Sequence, residues 1–296
     1  MVDKERTGTL KVAIVPHLKK EKVEEITVRL INWLEDRGIA AVLSTEEAAQ
    51  VGRADLAQPP DAFPEADLVV SLGGDGTILR SVRLLRGRRT PIVGVNLGTL
   101  GFLTAVELDR LFEAMEKVLR GEFTIDERMM LECSITFTSG ERSRHLALNE
   151  AVIERGQRQR MVPIEVSVNG AFFNKYTADG LILATPTGST AYSFSAGGPV
   201  VAPNNEVIIM TPISPHSLFG RSVVLNPKDK VDVKVPSELN TVVGIDGVIV
   251  AKSDAITSLN VNRAAEKTLL ARVDARDFYA SFREKLRYWD FWTEMG

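Results

Sequence analysis

The run Asp67-Leu-Val-Val-Ser-Leu-Gly-Gly-Asp-Gly-Thr77 constrains this chain more than any other stretch. An apolar segment of strand type stops at Gly73 and Gly74, continues through Asp75, Gly76 and Thr77, and leads into Ile78-Leu79 in helical register. Glycines lack a Cβ, so such a turn lets backbone approach a ligand closely. Successive N–H groups beside a helix N-terminus form a cradle for phosphate. Asp75 stands out among these donors: a carboxylate repels phosphate unless a metal or a proton transfer gives it a task. The combination predicts phosphoryl transfer rather than nucleotide storage.

Two styles of patterning divide the 296 residues. Residues 1–122 alternate strand and helix signals: Leu10–Val15, Ile39–Leu43, Leu68–Leu72 and Pro91–Val95 read as strands. Val23, Ile26, Leu30, Ile31 and Leu34 recur at helical spacing up to Gly38, and helices are also expected over Thr77–Leu85 and Leu108–Leu119. Alternation of this kind predicts an α/β domain with a parallel, Rossmann-like sheet, whose ligands bind at the carboxyl ends of the strands.

Residues 123–272 read instead as mostly antiparallel β-structure, a sandwich. Met130–Phe137 and Ile164–Val168 alternate, Val207–Met210, Val231–Val235 and Thr241–Ile245 are short β-rich runs, and Asn169-Gly170 carries the two-residue hairpin signature. Residues 273–296 return to helical spacing through Phe278, Phe282, Leu286 and Trp289, which predicts a C-terminal helix packing back on the N-terminal domain.

Charge and composition exclude other classes. A net charge of −3 gives no electrostatic reason to expect nucleic acid or an anionic membrane as partner. The single cysteine, Cys133, excludes an internal disulfide framework and fits a reducing cytoplasm. No stretch reaches the roughly 18–20 apolar residues of a membrane span, and the polar N-terminus lacks a secretory apolar core. His17, His145 and His216 lie far apart, with no zinc-ligand spacing.

Other segments carry chemistry-bearing residues. Gly94-Val-Asn-Leu-Gly-Thr-Leu-Gly-Phe102 reads equally as backbone brought near a nucleotide or as a tight strand exit. Neither the Gly-x4-Gly-Lys-Ser/Thr loop nor the Gly-x-Gly-x-x-Gly fingerprint is present. Asn149-Glu150 offers donors and acceptors that suit a ribose, a base edge or a metal-bound water, and it reads also as a turn between strands. In Thr185-Pro-Thr-Gly-Ser-Thr-Ala-Tyr-Ser-Phe-Ser195 hydroxyls crowd around glycine and proline, a pattern that satisfies its own backbone or lines a nucleotide site. The arginines at 80, 83, 86, 88 and 89 read as a solvated face, with Arg80 and Arg83 nearest the phosphate turn. His216 reads as a structural loop histidine, or as an acid/base group or phosphate contact.

Together, Gly73-Gly-Asp-Gly-Thr77, Asn149-Glu150, Asp179-Gly180, Thr185 through Tyr192, Gly197-Gly-Pro199 and Pro215-His-Ser-Leu218 resemble the bacterial NAD kinase family, in order and over nearly the whole chain. The first turn alone resembles lipid kinases and phosphofructokinases as well; the hydroxyl-rich segment with Asn-Glu upstream is the selective part. The resemblance implies transfer of the terminal phosphoryl group of ATP, or of polyphosphate, to the 2′-hydroxyl of the adenosine ribose of NAD. It further implies a divalent metal, Mg²⁺ above all, whose ligands it leaves unknown, and a homo-oligomer, a dimer or a tetramer; the cytoplasmic expectation comes from the composition alone.

Residue by residue, the resemblance makes Asp75 the proton acceptor, with Gly76 beside it at the substrate. Asn149 and Glu150 hold the adenosine portion of NAD, Asp179 the nicotinamide-side ribose or amide, and Thr190, Ala191, Tyr192, Ser193, Phe194 and Ser195 line the adenine and ribose pocket. Arg160 and Thr177 fall at substrate-contact positions of variable type. Gly73, Gly74, Thr77, Arg80 and His216 form the phosphate-donor region. At Ile245-Asp-Gly-Val248 the chain departs from the family, which often has glutamine where Val248 stands. Two other readings compete: a lipid or sugar kinase sharing only the first glycine turn, and a non-catalytic NAD(P)-binding regulator.

Overall fold

The computed structural model describes residues 9–19, 22–59, 63–98, 101–156, 161–216, 220–236, 240–253, 255–274 and 278–294. The chain forms two compact units, one of Met1–Glu127 with Thr268–Gly296 and the other of Arg128–Lys267.

The first unit is built as the periodicity predicts. Strands β1 (Lys11–Pro16), β2 (Ala40–Ser44), β3 (Ala57–Gln58), β4 (Leu68–Gly73), β5 (Pro91–Asn96) and β6 (Val106–Glu107) alternate with helices α1 (Val23–Glu35), α2 (Thr45–Gln50), α3 (Asp75–Leu85) and α4 (Leu111–Leu119). With the end of a later strand, β18 (Ile256–Arg272), they pair in the order β3-β2-β1-β4-β5-β18, parallel throughout, and β6 adds to β5. The order reverses between β1 and β4, where an open α/β sheet leaves a crevice for ligands. All six residues of β4 are buried, as a parallel strand covered on both faces requires.

Local differences from the sequence expectation have simple causes. Helix α3 starts at Asp75 rather than Thr77, because Gly74 is its N-cap and the Thr77 and Ile78 amides both return to the Gly74 carbonyl. Leu108–Arg110 forms a 3₁₀ turn before α4. Helix α2 was not expected, although Ser44-Thr-Glu-Glu47 is a capping box: the Ser44 hydroxyl accepts the Glu47 N–H and the Glu47 carboxylate accepts the Ser44 N–H, each at 3.3 Å.

The second unit is antiparallel. It comprises β7 (Thr124–Phe137, mostly in this unit), β8 (Arg142–Ala147), β9 (Glu150–Arg155), β10 (Val162–Val168), β11 (Ala171–Ala178), β12 (Gly180–Ala184), a single helical turn α5 (Tyr192–Ser195), β13 (Ile208–Ile213), β14 (Val223–Leu225), β15 (Val231–Lys234), β16 (Thr241–Ile245), β17 (Val248–Ser253) and most of β18. One sheet runs β14-β13-β12-β9-β16-β17; the other carries β11-β10-β15-β18 with β7 and β8. Alternate side chains from both, among them Leu131, Ile153, Ile164, Leu183, Met210, Val243 and Leu259, enter one core cluster, so the unit is a sandwich. Each fully buried aliphatic side chain contributes about 1.5–3 kcal/mol there. The β10–β11 hairpin turns at Asn169 and Gly170, whose φ angles of 52° and 80° match the Asn-Gly signature.

Helix α6 (Phe278–Glu294) belongs to the first unit, where Phe278 and Phe282 each lie 6.2 Å from the Phe102 ring. Among the described residues no helix is long and apolar enough to cross a membrane.

Candidate active site

In the first unit the glycine turn lies at the carboxyl end of β4, beside β1, at the point where strand order reverses. A side chain on Gly73 would overlap the Thr77 hydroxyl, so only glycine fits between β4 and the first turn of α3. Thr77 is buried and its hydroxyl accepts the Gly74 N–H at 3.4 Å, a closing contact of the turn. Gly76 is exposed and Asp75 partly so.

The Asp75 carboxylate rests on a rack of backbone amides. Its Oδ2 accepts the Phe102 N–H at 2.8 Å, and its Oδ1 accepts the N–H groups of Leu103 at 3.0 Å and Thr104 at 3.4 Å. Gly101 has no room for a Cβ, which would collide with Asp75 Oδ1. The second glycine run of the sequence is therefore a seat for the first. Among the described residues Oδ2 takes a single amide, which leaves a lone pair for a further donor. Arg80, by contrast, is engaged: its guanidinium pairs with the buried Glu47 carboxylate and approaches the Pro16 carbonyl at 3.5 Å, joining α3 to α2 and β1. Arg83 is exposed, and Arg89 pairs with Glu127 at 2.7 Å.

In the second unit a parallel device positions Asn149 and Glu150. They follow Ala147 at the end of β8, with Glu150 opening β9. The Asp246 carboxylate, at the tip of the β16–β17 hairpin, accepts the N–H groups of Leu148 at 2.8 Å, Asn149 at 2.7 Å and Glu150 at 3.1 Å. The Asn149 carbonyl takes the Thr185 N–H at 2.8 Å. Gly188 lies so close to that carbonyl that a Cβ would overlap it.

Much of the hydroxyl-rich segment satisfies itself. Thr185 donates to the Leu148 carbonyl at 2.6 Å, Ser189 to Pro186 at 2.7 Å, Thr190 to Thr187 at 3.3 Å, and Ser193 shares a hydrogen bond with Thr211 at 3.1 Å. Those bonds fold the segment into a platform that presents Tyr192 and Ser195, both exposed, with Thr190, Ala191 and Phe194 partly so and Ser193 buried. Gly198 packs too closely on Ser193 to carry a side chain. Asp179 pairs with Arg155 at 3.1 Å. Burial and then the charges of Glu154, Asp179 and Glu150 raise the Tyr192 phenol above its ordinary range.

Thr177 and His216 are neighbours, joined by the His216 N–H to the Thr177 carbonyl at 2.8 Å, and both are exposed. Arg160 lies outside the described residues. Val248 opens β17 at the sandwich edge, 39% exposed. The sequence reading missed Asp246 and Arg155 as partners of the candidate residues. The Asp-Gly pair of the hairpin was visible; its register against Asn149 was not.

Glu150 is the most perturbed acid of the site. It is 5% exposed, one carboxyl oxygen has no hydrogen-bond partner among the described residues, and burial, then the Asp246 charge, push it up to about 8 against an accepted Tyr192 N–H. A carboxyl raised in the folded state binds its proton more tightly there than in the unfolded chain. Stability from this group is thus full below the ordinary glutamate range and is lost as pH rises through about 8. Between pH 5 and 8, wild type should lose up to about 1.4 kcal/mol per pH unit relative to Glu150→Gln. Denaturant midpoints of both proteins across that range check this; parallel curves would place a charged, compensated Glu150 in the fold.

Comparison with known proteins gives these features a family. The ATP-NAD kinase N-terminal domain model matches residues 12–123 and the ATP-NAD kinase C-terminal domain model residues 148–273. The NAD kinase of Caldanaerobacter subterraneus subsp. tengcongensis is 41% identical over 278 residues, 93% of this chain and 98% of that protein. The NAD kinase of Geobacter sulfurreducens is 39% identical over 279 residues, 94% of this chain and 98% of its own. Among solved structures, yeast NADH kinase complexed with NADH has a TM-score of 0.88 at 26% identity, covering 96% of this chain and 89% of that one. An NAD kinase from Archaeoglobus fulgidus in complex with ATP has a TM-score of 0.75 at 26% identity, covering 94% and 99%. With both domain models matched in order and relatives near 40% identity along almost the full length, the chain belongs to the NAD kinase family.

Proposed function

We infer that the chain phosphorylates NAD, moving the terminal phosphoryl group of ATP onto the 2′-hydroxyl of the adenosine ribose to give NADP. The observation that carries this reading is Asp75 itself: a carboxylate at the first residue of α3, in a glycine turn at the sheet's reversal point, oriented by backbone amides and keeping one lone pair of Oδ2 open. A ribose hydroxyl is a poor nucleophile. As its oxygen bonds to the terminal phosphorus and the bond to the ADP oxygen breaks, its proton passes to Asp75 Oδ2. The rest of the rate comes from alignment and from the N–H groups of the turn facing the phosphates.

In this reading Gly73, Gly74 and Thr77 shape the donor site, while Arg80 serves α3 through Glu47. Asn149, Glu150, Asp179 and the platform from Thr190 to Ser195 bind the dinucleotide, with Thr177 and His216 at its rim. The unpartnered, buried Glu150 oxygen supports a polar ligand group there, since such an atom otherwise costs about 1–3 kcal/mol. The family resemblance implies Mg²⁺. Among the described residues no group of three or more His, Cys, Asp or Glu converges, and the ion would enter with the donor phosphates at the turn from Gly73 to Thr77. Bound there, it would neutralise charge on the transferred phosphoryl group. A homo-oligomer in the cytoplasm completes the reading.

The test is NADP formation from NAD, ATP and Mg²⁺, reported by an NADP-specific dehydrogenase. NADP that appears only with donor and metal is the expected result, and replacing ATP by polyphosphate reads donor choice. Folded protein that binds NAD calorimetrically without turnover would overturn it in favour of a regulator.

A further inference from the structure

The loop that seats Asp75 is itself held from the other side, by the C-terminal segment of the same unit. Lys285 Nζ lies 3.9 Å from the centroid of the Phe102 ring, whose neighbours are Phe278 and Phe282. These three residues, at i, i+4 and i+7, share one face of α6. Arg272, at the end of β18, donates to the Leu103 carbonyl at 2.8 Å, and Asp126 fixes its guanidinium through contacts of 3.1 and 3.0 Å. Two cations therefore grip this loop, one over the Phe102 ring and the other at the carbonyl of the Leu103–Thr104 peptide, whose N–H is the Thr104 donor to Asp75.

We propose that Lys285 and Arg272 are positioning residues for phosphoryl transfer, Lys285 holding Phe102 and Arg272 the Leu103–Thr104 peptide, so that the amides of residues 102–104 and, through them, the Asp75 carboxylate are fixed. The proposal rests on Asp75 as proton acceptor. Docking of α6 alone calls for apolar contact, which Phe278 and Phe282 supply. A half-buried ammonium adds a desolvation cost to that dock, and burial does push Lys285 below its ordinary range, opposed by the charge of Asp75. The cation answers to the Phe102 ring and to the carboxylate beyond it, where a cation over an aromatic face is attracted by the ring quadrupole. Displacements well under the length of a bond between proton acceptor and hydroxyl are enough to slow a reaction that depends on alignment.

The experiment uses the full chain with Lys285→Met, which keeps the apolar stem, and Lys285→Arg, which restores the cation. Lys285→Met should lower kcat about fivefold with KM for NAD and for ATP within about twofold, and speed amide exchange at residues 102–104 by a similar factor. Lys285→Arg should recover most of both. A raised KM for ATP at unchanged kcat would make Lys285 a donor contact and overturn the proposal. So would a fall in kcat with unaltered exchange at those amides, or no change in either. If Lys285→Met fails to fold, Arg272→Lys, which loses the paired contact with Asp126, is read by the same amides. Asp75→Asn run in parallel separates the two ideas: if it still turns over, the proton-acceptor reading falls, while exchange continues to report on the rack.

Discussion

Asp75→Asn will lower kcat by about 10³-fold, within the range by which positioned general bases accelerate proton transfer, and leave KM for NAD and for ATP near wild type. The substitution is nearly isosteric. Its Oδ1 can go on accepting the Leu103 and Thr104 amides, but its Nδ2 becomes a donor facing the Phe102 N–H, a contact of 2.8 Å in the carboxylate form. Both the lone pair that takes the hydroxyl proton and one bond of the rack are lost. Because neither substrate's phosphate or base is held by that carboxylate, binding should survive while chemistry fails. Steady-state kinetics with calorimetric NAD binding measure it; turnover within tenfold of wild type would remove Asp75 from the proton path.

Much of this site is legible in the sequence, because the glycines that make it are forced by local geometry. Gly73 has to clear Thr77 four residues on, and the strand-turn-helix signal around it comes from apolar run length and the Gly74 cap. What reads poorly is whatever depends on distant register. Gly101 is needed because of Asp75, Gly188 because of Asn149, and neither partner is predictable from neighbours in the chain. The hydroxyl-rich segment is a related case: its composition shows a polar cluster, but only the fold decides that Thr185 and Ser189 face backbone while Tyr192 faces solvent. Arg80 is a further case in which the partner comes from the fold. It follows the phosphate turn closely in sequence, yet the helix carries its side chain to Glu47.

The same logic gives Asp246 an effect on stability larger than its position on a hairpin tip suggests. Asp246→Ala leaves the N–H groups of Leu148, Asn149 and Glu150 without that acceptor, and it puts alanine at a φ of 47°. Charge-assisted bonds of this kind, together with the left-handed backbone cost, sum to a loss of about 3–5 kcal/mol. Asp246→Asn keeps one acceptor oxygen and tolerates the left-handed backbone, so it should lose well under half as much. Asp246→Ala should also raise KM for NAD, since Asn149 and Glu150 are positioned by those amides, and should bring Glu150 down from about 8, the Asp246 charge being its second cause after burial. Denaturant midpoints, NAD kinetics and the pH dependence of stability read the three effects separately. An unchanged midpoint for Asp246→Ala would mean that the strand ladders of β9 hold residues 148–150 without it, and that the two aspartate racks are alike in geometry only.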